Sequence, residues 1–164
     1  MSSSGSSPGV EHCLDAAYNY LSYRPRSEVE LRIYLKRHGY ENYFIESALA
    51  KLKQQGIVDD VAFARFWRDS RESFSPRSST ALRSELKRKG IDSETIAETI
   101  GEIDEESSAY KAAQKKAKVL ASSDYSSFHH KLSAYLWRRG FNYELTQRVV
   151  KRLWQERSGR EQNA

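Results

Sequence analysis

The 164 residues carry 27 Lys and Arg against 22 Asp and Glu, a formal net charge of +5, with 38% hydrophobic and 30% charged residues. That balance argues against one thick apolar core and suits thin amphipathic helices in a row of small modules, each completed partly by its neighbours. No run is long and apolar enough to span a membrane, and the lone cysteine, Cys13, has no partner for an intramolecular disulfide, which points to an intracellular chain.

In chain order, the opening MSSSGSSPGV has no signal-peptide character and reads as a flexible tail over 1–9. Leu14, Ala17, Tyr18 and Leu21 fall at helical spacing and predict a leading helix over 10–23. Pro25 stops it, because proline disfavours helix at the residue before it. Ser27, with Glu30 three residues on, has the form of a capping box and opens a helix ending at Gly39. The next helix runs from near Asn42 to Gln55, and Gly56 ends it. Asp59 is the expected N-cap of a helix carrying Val61, Phe63, Ala64, Phe66 and Trp67. Together these make a first three-helix repeat over 24–73. Beyond the loop SFSPRSS, helices near 79–89, 93–103 and 105–121 form a second repeat over 74–122. Helices near 126–139 and 143–156 form a third, shortened repeat over 123–157, and 158–164 is expected to fray. No segment alternates as a strand would, so the predicted fold is all-α with roughly nine helices.

The repeat rests on three copies of one pattern: IYLKRHGY, SELKRKGI and AYLWRRGF. Gly39, Gly90 and Gly140 lie about 50 residues apart. Four residues before each glycine stands Leu35, Leu86 or Leu136, and eight before stands Leu31, Leu82 or Leu132. Ten after stands Leu49, Ile100 or Val150, and thirteen after stands Leu52, Ile103 or Leu153. Steps of four and three place these residues on facing helix stripes. The glycines are expected to take the left-handed conformation that closes a helix.

The cations before each glycine have two readings. Lys36-Arg37-His38, Lys87-Arg88-Lys89 and Arg138-Arg139 offset the negative end of a helix dipole. Their side chains also point outward, and Arg32 with Lys36, like Arg83 with Lys87, shares a helix face. Arg24, Arg26, Arg71 and Arg77 add charge ahead of these helices. A repeated surface for an anion or a protein stands against a solvated face with local pairs such as Glu28 to Arg32. Two basic blocks, 24–90 and 111–164, flank an acidic stretch over 91–110.

Catalytic chemistry has no motif. No phosphate loop, no GxSxG or HExxH and no four-ligand zinc grouping is present, so no catalytic residue, metal or cofactor is expected. Asp59-Asp60 is read as helix capping rather than as a carboxylate pair. Tyr18, Tyr20, Tyr23, Tyr34, Tyr40 and Tyr43 are expected mostly to pack between helices. Trp137 replaces the cation of Lys36 and Lys87, where it either fills a gap between units or meets a partner.

Three motifs, in order, resemble the RecX regulatory proteins. AAYNYLSYRPRSEVELRIYLKRHGY is similar to the family's opening, LKQQGIVDDVAFARFW to its Gly–apolar–Asp-Asp–Phe-Ala signature, and LRSELKRKGID to its second-unit signature. The resemblance covers about 14–156; the loop Phe74-Ser75-Pro76-Arg77 departs from it, lacking the family's frequent glycine. It implies an elongated, curved array of three tandem three-helix repeats. It also implies a cytoplasmic, monomeric, non-enzymatic modulator of RecA. Such a protein lies in the groove of the RecA filament on single-stranded DNA and suppresses ATP hydrolysis and strand exchange. The cations named above are then its contacts with RecA or DNA. A stand-alone helix-turn-helix DNA binder and an α-helical adaptor for another protein are the alternatives.

Overall fold

The computed structural model describes residues 8–164, which form nine α-helices and no strand. They are α1 (Pro8–Leu21), α2 (Glu28–Arg37), α3 (Asn42–Gln54), α4 (Asp60–Phe74), α5 (Ser79–Arg88), α6 (Ser93–Gly101), α7 (Glu105–Val119), α8 (Tyr125–Arg138) and α9 (Tyr143–Gln162). None of the described helices is long and apolar enough to cross a membrane. The expected tail falls largely outside the described residues. Its last two residues, Pro8 and Gly9, already belong to α1, where proline's missing N–H removes no intrahelical bond. At the other end α9 continues past 156 to Gln162. Arg152–Glu156 at 3.1 Å and Arg157–Glu161 at 3.4 Å are i,i+4 pairs that support this last stretch.

The described residues divide into two compact units. One takes the chain up to Trp67 with Leu86–Ile96, and the other takes Arg68–Glu85 with Ala97–Ala164. The division falls within α4, α5 and α6. In the first unit Cys13 and Ala17 of α1 meet Leu31 and Leu35 of α2 and Ile45, Ala48, Leu49 and Leu52 of α3. In the second, Ala109, Ala112 and Ala113 of α7 face Phe128, Leu132 and Leu136 of α8 and Leu145, Val149, Val150 and Leu153 of α9. Small residues on α1 and α7 let the neighbouring helices approach, and the leucine register supplies most of the buried area. The register predicts burial well, with one exception: Ile103 lies past the end of α6 and is only half-buried.

Each predicted cap has its bond. Ser27 Oγ accepts from the Glu30 N–H at 3.1 Å while a Glu30 carboxylate oxygen accepts from the Ser27 N–H at 3.0 Å, a complete capping box. Asp59 accepts from Val61 N–H at 3.0 Å and Ala62 N–H at 3.1 Å. Gly39, Gly90 and Gly140 have φ of 85°, 78° and 90°, the left-handed turns that end α2, α5 and α8.

Two of those glycines do more than end a helix. A β-carbon on Gly90 would lie 2.2 Å from Val29 Cγ2, at the start of α2. One on Gly140 would lie 2.4 Å from Ser78 Oγ, just before α5. A hydrogen bond to a backbone carbonyl accompanies each approach. Ser27 Oγ donates to the Lys89 carbonyl at 2.7 Å, and the Ser78 N–H donates to the Arg139 carbonyl at 3.1 Å. The glycine turn of one repeat therefore docks against the serine-capped helix start of the repeat before it. Gly39 has nothing within 4 Å of the same position, and no repeat precedes it in the described residues.

This difference separates two substitutions that look alike in sequence. Gly39→Ala should cost about 1 kcal/mol, the strain of a left-handed alanine. Gly90→Ala adds a collision with Val29 and should cost at least about 2 kcal/mol more. Urea denaturation of both variants checks it, and equal losses would contradict the joint.

Candidate cationic groove at the first joint

The first joint gathers charge around one carboxylate. Glu30 lies on the first turn of α2, 10% exposed at its side chain. It accepts from Arg24 at 2.7 Å and from Lys89 Nζ at 2.7 Å, besides the Ser27 N–H. Burial alone would raise its pKa. The hydrogen bonds from Arg24, Lys89 and Ser27 outweigh burial and hold it at about 2. Trp67 of α4 lies beneath the two cations, with Arg24 at 5.5 Å and Lys89 at 4.9 Å from its ring centre.

Above this hub lies an open groove of ≈ 420 Å³ lined by Tyr20, Val29, Glu30, Ile33, Tyr34, Arg37, His38, Arg88 and Lys89. It brings together the last turn of α2 and the last turn of α5, two clusters 51 residues apart in sequence. Tyr20 and Tyr34 are stacked at 3.9 Å with an interplanar angle of 3°. Arg26 lies 3.7 Å over Tyr20, and the His38 ring packs on Tyr34 at 4.1 Å, tilted by 35°. Arg37 and Arg88 are exposed and carry no ion pair among the described residues. The groove therefore offers free guanidinium groups beside a fixed aromatic ladder, which suits a negatively charged partner with flat groups or acidic side chains.

The thirteen cations singled out by sequence divide by what they already hold. Lys36, Arg37, Arg83, Lys87, Arg88 and Arg138 are exposed and unpaired among the described residues. Arg24 and Lys89 are bound to Glu30. Arg32 is held by Glu46 at 2.9 Å and Glu28 at 3.2 Å, so the local-pair reading of Arg32 is the observed one. Arg71 pairs with Glu85 at 3.0 Å, and Arg77 lies 3.9 Å from the same carboxylate. Arg26 and Arg139 lie over Tyr20 and Tyr135. An outward position did not guarantee an open charge, because acids 14 or more residues away in sequence fold back onto Arg32, Arg71 and Lys89.

Asp59 and Asp60 share structural work. Asp59 caps its own helix, while Asp60 accepts from the Glu28 N–H of α2 at 2.9 Å. Burial raises the Asp60 pKa, opposed by that bond. Asp104 and Glu105 repeat the arrangement: Asp104 caps α7 through Ser107, and Glu105 accepts from the Ser79 N–H of α5 at 3.1 Å. Sequence reasoning found the Asp59 cap but not the Asp104 cap, and it missed the bonds of Asp60 and Glu105, whose partners lie 32 and 26 residues away. The tyrosines also depart from expectation. Tyr20, Tyr34 and Tyr40 pack against the core, but Tyr18, Tyr23 and Tyr43 are exposed, which leaves half of the cluster in solvent. Trp137 is 68% exposed at the rim of a ≈ 340 Å³ hollow with Tyr143, so it fills no gap.

The chain matches three family models in succession: the first three-helix domain of RecX over 13–52, the second over 59–100 and the third over 104–150. Regulatory protein RecX of Amycolatopsis mediterranei is 35% identical over 140 residues, covering 84% of this chain and 80% of that one. Regulatory protein RecX of Prosthecochloris aestuarii is 33% identical over 140 residues, covering 85% and 92%. The crystal structure of RecX from Lactobacillus salivarius superposes with a TM-score of 0.70 over 88% of this chain and 96% of that one, at 21% identity, a likeness of fold.

The Glu30 hub has a pH signature. Its folded pKa lies below the ordinary 4.5, so its contribution is complete above that pH and is lost as pH falls toward 2. Glu30→Gln should cost about 2–3 kcal/mol at pH 7. The gap between wild type and variant should close progressively below pH 4.5 in urea titrations. A gap independent of pH would mean the carboxylate's charge is immaterial.

Proposed function

The chain belongs to the RecX family, and from that premise we propose that it is a non-catalytic regulator of RecA. It binds the filament that RecA forms on single-stranded DNA, in the filament's helical groove, and suppresses ATP hydrolysis and strand exchange. It thereby modulates recombination and DNA repair in the cytoplasm, and it does so as a monomer.

The observation that carries this reading is the groove at the first joint. Its free cations, Arg37 and Arg88, come from two different repeats and are held in one place by the docking of Gly90 on Val29. A filament presents the same protein and phosphate surface at regular intervals, and a repeat protein can answer it with a regular set of side chains. Lys36 and Lys87 stand beside those arginines in the same register, exposed and unpaired. A regulator of this kind works by differential binding and needs no reacting groups, so the capping duties of Asp59 and Asp60 remove no function from it.

The test is RecA-driven ATP hydrolysis on single-stranded DNA at substoichiometric amounts of this protein. Wild type should slow it. The combined variant Lys36→Ser, Arg37→Ser, Lys87→Ser, Arg88→Ser should raise the concentration needed by about tenfold or more, since all four charges are free to contribute. Arg32→Ser should act mainly on stability, by less than about 1 kcal/mol. An unchanged hydrolysis rate with wild type would remove the proposal. Tight binding to DNA alone, steeply weakened by salt and indifferent to RecA, would favour a stand-alone DNA-binding module instead.

A further inference from the structure

The two joints are built alike but are not equally neutralised. In the first, the cation at position 89 meets the Glu30 carboxylate at 2.7 Å. Shifting by the repeat, Lys89 becomes Arg139, Glu30 becomes Ala81 and Arg24 becomes Ser75. The second joint has thus lost its carboxylate and kept its cation. The consequences are visible in its bonding. With no acid at 81 to accept it, the Ser78 N–H turns to the Arg139 carbonyl at 3.1 Å, whereas the Ser27 N–H is taken by Glu30.

Arg139 is left with its charge uncompensated. Its Nε is buried without a hydrogen-bond partner, and its guanidinium lies 4.3 Å over the Tyr135 ring. Lys116 of α7 lies 5.8 Å from the same ring. Arg77, beside Ser78, also has a buried Nε without a hydrogen-bond partner among the described residues, and the Glu85 carboxylate lies 3.9 Å from it. Among the described residues no acid pairs with Arg139 or Lys116. A half-buried guanidinium without an anion is costly, and one without its hydrogen bonds is more so.

We infer that the second joint binds a phosphate group, held by the outer nitrogens of Arg139 with Lys116, in the place that Glu30 fills in the first joint. The inference deepens the regulatory reading, because nucleic-acid backbone is one source of such a group; free phosphate is the other. Arginine suits the task through its fork of donors, and Tyr135 fixes the plane in which that fork lies.

The probe is inorganic phosphate, with Tm measured against sodium chloride at matched ionic strength and pH. Wild type should gain about 2 °C or more in 50 mM phosphate. Arg139→Gln should lose that gain. Ala81→Glu restores the carboxylate of the first joint; it should melt higher than wild type and respond to phosphate no more than to chloride. No phosphate-specific gain in wild type, or a full gain in Arg139→Gln, overturns the site. A second arm titrates an oligothymidylate at low salt without RecA. A loss of about threefold or more in Arg139→Gln assigns the phosphate to nucleic-acid backbone, and unchanged affinity assigns it to the free ion. Both arms omit RecA, so their failure leaves the ATP-hydrolysis result standing on its own.

Discussion

The docking of a glycine turn against a serine-capped helix start is the contact on which the rest depends. At Gly90 and at Gly140 the approach leaves no room for a β-carbon, and the left-handed φ excludes most side chains independently. One residue type therefore answers two constraints, ending a helix and admitting a neighbour. Ser27 and Ser78 answer two as well: each caps its own helix and bonds the carbonyl before the approaching glycine. The third repeat has Phe128 at the serine position, inside α8 and fully buried in its own core, so the pattern of joints ends there.

In the proposed function this contact matters for where it puts charge. The residues before each glycine sit in a last helical turn, where cations are stabilised by the helix dipole whatever they touch. Docking then divides them. The residue next to the glycine is drawn into the joint, as Lys89 is by Glu30, while the two before it remain in solvent. At the first joint this leaves Arg37 and Arg88 lining one groove over the stacked pair Tyr20 and Tyr34. A structural device repeated for stability thus leaves unneutralised cations at corresponding positions of successive repeats, and the proposed recognition of a regular polyanionic or mixed polymer draws on them.

Most of the fold was legible in the sequence because its signals are local. The leucine register, the capping box at Ser27 and the three glycines each depend on spacings of a few residues, and all stand where spacing put them. The family likeness was legible for the same reason, since its motifs are these turns and caps. What spacing could not show were partners far along the chain. Local spacing offered Arg32 only Glu28, because Glu46 lies on another helix, and it left Glu30, 59 residues away, out of view of Lys89. Asp60 was read with Asp59 as capping its own helix, because the N–H it accepts belongs to α2. The end of α9 was missed for a different reason: beyond Trp154 it is carried by charged pairs rather than by an apolar stripe. The unlike chemistry of the two joints was present in the sequence as Glu30 against Ala81, but it acquires meaning only once both positions are known to face a cation.

The central claim is that the exposed helix ends beside the joints are the surface that meets the filament. Amide hydrogen exchange, with and without RecA assembled on single-stranded DNA, measures this most directly. The account predicts added protection in the last turns of α2 and α5, around Arg37 and Arg88, with the core of α7, α8 and α9 unchanged. Protection confined to the exposed Trp137 and Tyr143 surface, or none at all, would contradict it.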